Sequence, residues 1–388
     1  MSRRRPSNIL WYLLASSLVA ATLIWDSIFE IDDISDRERS TIFARPWSHA
    51  DGTRSAEDRV TTNGTSANEY YTTRKMPSDL PANKSLVILI GGLRAGERAW
   101  NTLYENVLDI NSADLALMTS DKETIYPNST LPARARYVWH YKQYDDWADA
   151  VDLVRGTGWR SSHLHLFKPT YPNLEPGKND TILFGGLKGH TRASGIIIFM
   201  IRYFLIQAIR DNGILNLYDT FVVTRTDHFY KCPHAFARCN LGDRDVIVPD
   251  GEGYVGITDR HLIASRDTLL EALDLITPLI SQPFSFDFNK HHNSERWLQH
   301  VWSSKALHVK RCVRSMFTVA REEDTSRWRI AKDELPGVPG LFIKYQQEYN
   351  GTVDGCTRFH RNSRPSYKGN CMKCGCGMKM YNRRRNGG

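Results

Sequence analysis

The chain has no nucleic-acid-binding signature, and its basic runs, residues 3–5 and 383–385, are short. Those two ends supply much of the net charge of +8. The remaining mild basic excess suits an anionic ligand or a membrane surface, and nucleic acid is not expected as a partner. There is no internal repeat, which excludes a solenoid or propeller. The Gly-Lys-Ser/Thr ending of a P-loop is missing, and no glycine run has the dinucleotide-binding spacing. Residues 9–25 form the long uncharged run. The other apolar stretch, near 195–210, is interrupted by Arg202 and is not read as a membrane span.

What is present fits a secretory-pathway layout. With 41% hydrophobic and 24% charged residues in 388, most of the chain can build a core of one large or two ordinary domains. Residues 1–8 read as a cytosolic tail. Residues 9–25, about 25 Å long as a helix, read as a transmembrane signal anchor. Arg3, Arg4 and Arg5 precede the run and no basic residue follows closely, so the positive-inside rule puts everything after Asp26 in the lumen of the endoplasmic reticulum or Golgi. A cleaved signal peptide leads to the same lumen. Residues 26–80 are polar and aperiodic and read as a flexible stem. Glycosylation triplets at Asn63, Asn83, Asn128, Asn179 and Asn350 agree with a luminal domain.

Seven cysteines also suit an oxidising compartment. Cys232 and Cys239 flank a short loop and are the favoured disulfide pair. Cys371, Cys374 and Cys376 lack a nearby histidine that would complete a zinc site, so tail disulfides with Cys312 or Cys356 are expected. The tail, residues 351–388, is basic and without core periodicity, and loose order is expected there.

Residues 81–350 alternate strand and helix patterns, which predicts an α/β layer fold. Strands are expected at 86–90, 113–119, 181–184, 221–223 and 245–249, with closing strands at 307–309 and 317–320. Helices are expected from about 195 to 210, from 266 to 280 behind Ser265, and from 293 to 302 behind a capping Asn293. The aromatic stretch 139–147 reads as core. Between the first strand and helix lie Gly91, Gly92 and Arg94. Free backbone N–H groups there, with Arg94, would make an anion site. Lys188, His190 and Arg192 stand before the long helix and could hold a diphosphate.

The stretch from Tyr218 to Arg260 carries the strongest functional signal. A buried strand, 221–223, ends in Thr224, Arg225, Thr226 and Asp227, and ligands of open α/β sheets bind beyond strand carboxyl ends. A glycine-rich loop, residues 251–256, follows and closes on Asp259 and Arg260. Farther on come Asn293, Ser294 and Glu295. Together these segments resemble GT-A glycosyltransferases of the WavE lipopolysaccharide-synthesis kind and their uncharacterised eukaryotic relatives.

The resemblance covers roughly residues 86–320. It implies a GT-A-like, mostly parallel mixed sheet flanked by helices, and a hexosyltransferase-like enzyme anchored in the membrane. Such an enzyme moves a sugar from a nucleotide-sugar donor to a glycan or glycoprotein acceptor. By that pattern Asp227 binds a divalent metal, Mn2+ or Mg2+, Asp259 is an acceptor-side carboxylate, Glu295 a later helix carboxylate, and Gly91, Gly92 and Arg94 touch the nucleotide. The chemistry of an inverting transfer makes Asp259 the expected catalytic base, with Glu252 as its rival, and Lys188, Arg192, Arg225 and Arg260 complete the expected substrate-binding residues. One departure stands out. Arg225 occupies the first Asp position of the Asp-x-Asp motif, and an arginine can bind phosphate itself, which lessens the need for metal. A luminal sulfotransferase is a rival reading, although residues 94–98 lack its threonine pair. A non-catalytic glycan-binding relative is another.

Overall fold

The computed structural model describes residues 71–75, 85–123, 129–162, 184–188, 194–236, 241–251, 253–281, 293–324, 331 and 333–362. The expected tail and anchor at 1–25, most of the stem, Glu252, Arg192, Cys239 and the 371–376 cysteine cluster lie outside these residues. Among the described residues no helix is long and apolar enough to cross a membrane.

In chain order the elements begin with β1 (Tyr71–Lys75), β2 (Ser85–Ile90) and α1 (Gly96–Leu103). Next come β3 (Asp114–Ser120), α2 (Thr130–Arg134), β4 (Tyr137–Tyr141), α3 (Trp147–Arg155), α4 (Gly158–Ser162) and α5 (Gly195–Asp211). The middle of the chain supplies β5 (Thr220–Arg225), β6 (His228–Tyr230), β7 (Asp245–Pro249), β8 (Leu262–Ser265), α6 (Arg266–Leu273) and α7 (Ile276–Ser281). The remainder is α8 (Ser294–Ser304), β9 (His308–Cys312), β10 (Met316–Ala320), β11 (Asp333–Glu334), β12 (Phe342–Ile343) and α9 (Gln346–Asn362).

The main sheet has eight strands in the order β1-β4-β3-β2-β5-β8-β7-β9. Strands β4, β3, β2 and β5 are parallel neighbours, while β1 and β8 run antiparallel to theirs. The central strands are short β-branched and leucine runs because both faces of the sheet are covered. Leu86, Ile88, Met118, Phe221 and Val223 point to one face and pack against the apolar helix α5. Val87, Leu89, Leu117 and Val222 point to the other, against α1 and the small second sheet, β11-β12-β10-β6. The α/β class is therefore as expected.

Several expectations move. Tyr71–Lys75 fell in the expected stem but forms an edge strand paired with β4. Phe184 sits in a single turn rather than a strand, and 181–183 lie outside the described residues. The helix expected over 266–280 breaks at Asp274, whose carboxylate accepts from the Thr277 N–H at 3.1 Å and starts α7. The expected loose tail is helical to Asn362, with Glu348 and Thr352 buried. Asn350 is the acceptor triplet among the described residues. It lies in that helix, and the hydroxyl of its Thr352 is bonded to the Met316 and Glu348 carbonyls. Cys232 bonds to Cys356, 124 residues away, which replaces the expected Cys232–Cys239 pair. Backbone packing of α9 on β10 brings the two sulfurs together, and sequence proximity does not.

Candidate functional site

The register aligns Ile90 with both Met118 and Arg225. The loops after β2, β3 and β5 therefore start at one level, and a cavity of about 650 Å³ opens there. It is lined by Gly91, Gly92, Arg94, Arg225, Asp227, Asp259, Arg260 and Glu295, as expected. Lys344 and Tyr345, which the sequence reading did not single out, join them. Lys188 is not among the lining residues. Its side chain is exposed, and its N–H joins the Asp146 carboxylate that caps α3.

One wall is cationic. Arg225 ends β5, and Asp227 follows at 2% exposure. Both carboxylate oxygens accept from the same guanidinium, Oδ1 from Nε at 2.7 Å and Oδ2 from Nη2 at 2.5 Å. Burial pushes the Asp227 carboxyl up, but the charge and hydrogen bonds of Arg225 outweigh it and hold the group well below the usual range. Arg260 lies over the rings of Tyr345, at 4.3 Å, and Tyr254, at 5.2 Å. Its guanidinium also donates to Glu348. Glu348 accepts the Thr318 N–H at 2.8 Å and has Arg314 at 3.6 Å. Burial raises this carboxyl too, yet Arg260 and Arg314 bring it down to about 2. Lys344 follows β12 directly. Burial first, and then the Arg225 charge, lower its ammonium to about 8.

A second group of lining residues, beside Arg260, is acidic. Asn293 caps α8 by accepting the Arg296 N–H at 2.9 Å, and its amide donates to the Tyr254 carbonyl at 2.9 Å. The glycine loop is thereby pinned to the start of α8. The Ile257 N–H donates to the Glu295 carbonyl at 3.1 Å. A Cβ on Gly256 would lie 2.4 Å from that carbonyl, so only glycine permits the approach. Tyr254 and Val255 hold positive φ of 43° and 67°, a left-handed conformation costly for a β-branched residue.

The result is that Glu295 faces Asp259 with both side chains buried. Burial, followed by the Asp259 charge, raises Glu295 to about 7. Ser294 Oγ donates to its Oε2 at 3.1 Å. Behind them the fully buried Arg202 of α5 donates to the Asp259 backbone carbonyl.

In the glycine turn after β2, two backbone N–H groups meet protein carboxylates: Leu93 donates to Glu123 at 2.9 Å and Ala95 to Asp324 at 2.8 Å. Gly91 donates to the Met118 carbonyl at 3.0 Å. Protein groups therefore occupy part of the expected anion nest, and Arg94 borders the cavity.

A divalent metal needs several oxygen ligands with lone pairs aimed at one point. The oxygens of Asp227 are both held by Arg225, in a neighbourhood that includes Lys344 and Arg260. Among the described residues no group of three His, Cys, Asp or Glu side chains could hold a metal ion. The residues around Asp227 do not fit the expected metal role. No family model matches the chain, and no curated protein matches it in sequence.

Proposed function

We propose that this chain is a glycosyltransferase of the secretory-pathway membrane. It would move a sugar from a nucleoside-diphosphate donor to a hydroxyl of a glycan or glycoprotein. The observation that carries this reading is one cavity with both cationic and acidic lining groups at the carboxyl ends of β2, β3 and β5. The cationic wall suits a leaving diphosphate. The acidic wall suits deprotonation of an acceptor. The mixed sheet, with antiparallel β8 beside β5, agrees with the GT-A-like resemblance.

In an inverting displacement the acceptor hydroxyl gives its proton to Glu295 at Oε1, because Oε2 already accepts from Ser294. The acceptor oxygen bonds to the anomeric carbon as the bond from that carbon to the phosphate oxygen breaks. The nucleoside diphosphate leaves with the electron pair onto the cations. Glu295 takes the base role first expected of Asp259, since its proton affinity lies near neutrality. Asp259 supports it by charge. Glu252 lies outside the described residues.

The test uses the full-length chain in detergent, with a panel of UDP-, GDP- and CMP-sugars and nucleotide release as the readout. One donor class is expected to turn over. The Glu295→Gln variant should bind that donor and lose turnover by roughly 10²–10⁴-fold, the usual contribution of a positioned base. Full activity in Glu295→Gln, or no binding of any sugar nucleotide by the folded chain, overturns the proposal. Binding without turnover would favour the non-catalytic glycan-binding reading.

A further inference from the structure

We propose that the cavity holds a diphosphate monoester directly on Arg94, Arg225, Arg260 and Lys344, with no divalent metal between, and that Asp227 serves to aim Arg225. The inference rests on the nucleotide-sugar reading only for the group attached to the diphosphate.

Charge and placement carry it. The four cations come from four separate segments, the loop after β2, the end of β5, the approach to β8 and the residue after β12, and all line one cavity. Lys344 is 6% exposed and Arg260 8%. Holding like charges together away from water is unfavourable unless anions balance them. Carboxylates do so in part: Asp227 on Arg225, and Glu348, which Arg260 shares with Arg314. A diphosphate monoester, a polyanion, would supply further negative charge to this cluster.

Geometry agrees. A guanidinium has five N–H donors, and the two bonds to Asp227 engage two of those on Arg225. The bidentate pair also fixes the plane of the group, so its remaining edge is presented without rotamer freedom. Arg225 stands where the first metal-binding carboxylate of an Asp-x-Asp motif would be, which puts a fixed positive charge in place of an ion. An apolar ridge of Ile197, Ile198 and Ile201 borders the same cavity. The organic part of the ester could therefore be a nucleoside or an isoprenoid, and the experiment separates the two.

Calorimetry on the full-length chain in detergent, first with chelator and then with manganese, would compare UDP, GDP, farnesyl diphosphate, inorganic pyrophosphate and inorganic phosphate. The expected result is a nucleoside diphosphate that binds equally in both conditions. Pyrophosphate should bind more weakly, and phosphate weakest. Lys344→Ala should weaken binding about tenfold in chelator, or about 1.4 kcal/mol, with Lys344→Arg restoring most of it. Arg94→Ala, at a less buried position, provides the same test if Lys344→Ala fails to fold. Asp227→Asn should weaken binding alike in chelator and in manganese.

Binding that vanishes in chelator and returns with manganese overturns this inference and leaves the proposed function standing. Phosphate binding as tightly as pyrophosphate also overturns it. Metal-free binding of farnesyl diphosphate and pyrophosphate, without any nucleoside diphosphate, upholds the cradle and removes the nucleotide donor. No binding by the folded chain in either condition overturns both.

Discussion

Glu348 and Glu295 are both buried and share Arg260 as a neighbour, and Glu295 lines the cavity. The first is held at about 2 and the second is raised to about 7. Burial acts on both in the same direction, so the difference comes from their neighbours. Glu348 has Arg260, Arg314 and a backbone N–H around its oxygens. Glu295 has the Asp259 charge beside it, and its own backbone N–H, the Arg260 charge and one serine hydroxyl offset burial only in part. A fully compensated carboxylate fixes structure. One that is compensated only in part keeps a proton that can move near neutral pH. The molecule uses the same residue type for both tasks, a few side chains apart.

The largest expected effect tests the acidic wall. Beyond the loss of turnover in Glu295→Gln, the wild-type kcat/KM should rise with pH and level off above about 7. A carboxylate base of ordinary affinity would give a plateau from about pH 5 upward, and such a profile would remove Glu295 as the base. Stability should respond to the two glutamates in opposite senses. The Glu348 value lies below its ordinary 4.5, so its contribution is present above that pH and is lost as pH falls towards 2. The Glu295 value lies above 4.5, so its contribution is complete below that pH and is lost as pH rises through 7.

The next effect tests the cationic wall. Glu348→Gln leaves Arg260 buried beside a neutral group. It should cost on the order of 3–5 kcal/mol, seen as a fall in Tm of roughly 10 °C. A change below about 1 kcal/mol would mean that the pair is exchangeable and that the contrast with Glu295 is not structural. Gly256→Ala comes third. Its methyl group must displace the Glu295 backbone, with an expected loss of about 1–3 kcal/mol and reduced turnover at unchanged diphosphate binding. A parallel loss of binding would show that the two walls are not independent.

The smallest effect is expected at Val255, which is 76% exposed at a φ of 67°. Val255→Asn should stabilise by less than about 1 kcal/mol, since asparagine tolerates the left-handed region. Thermal unfolding should register it without a change in kcat.

Strands β2, β3, β5 and β7 were readable from sequence because each is an apolar run that needs no partner to be recognised. Their carboxyl ends delivered Arg225 and Asp227 to the cavity, and the glycine loop and the Asn293 cap delivered Asp259 and Glu295. The same reasoning missed β4, whose aromatic residues read as core without a period, and β8, four residues long. It also missed Lys344, Tyr345 and Glu348. Strand β12 has two residues and α9 is polar along most of its length, so no periodic signal marks them. The apolar triplet Leu341, Phe342 and Ile343 directly before Lys344 was the available hint. A carboxylate at a strand end looks the same to sequence whether a metal or an arginine faces it, so spacing alone does not choose between the metal reading of Asp227 and its pairing with Arg225. The partner of Cys232 depends on where α9 packs, which local spacing cannot show.

The bridge between Cys232 and Cys356 also bears on the order in which the site is completed during synthesis. A ribosome making this chain finishes β2, β5, Asp259 and α8 well before it reaches Lys344, Glu348 and Cys356. The acidic wall can therefore be assembled on a nascent chain that still lacks its counterpart. Arg260 meets its carboxylate, and the bridge closes, only when α9 has emerged. A chain released before that point would carry most of the sheet and no finished binding surface.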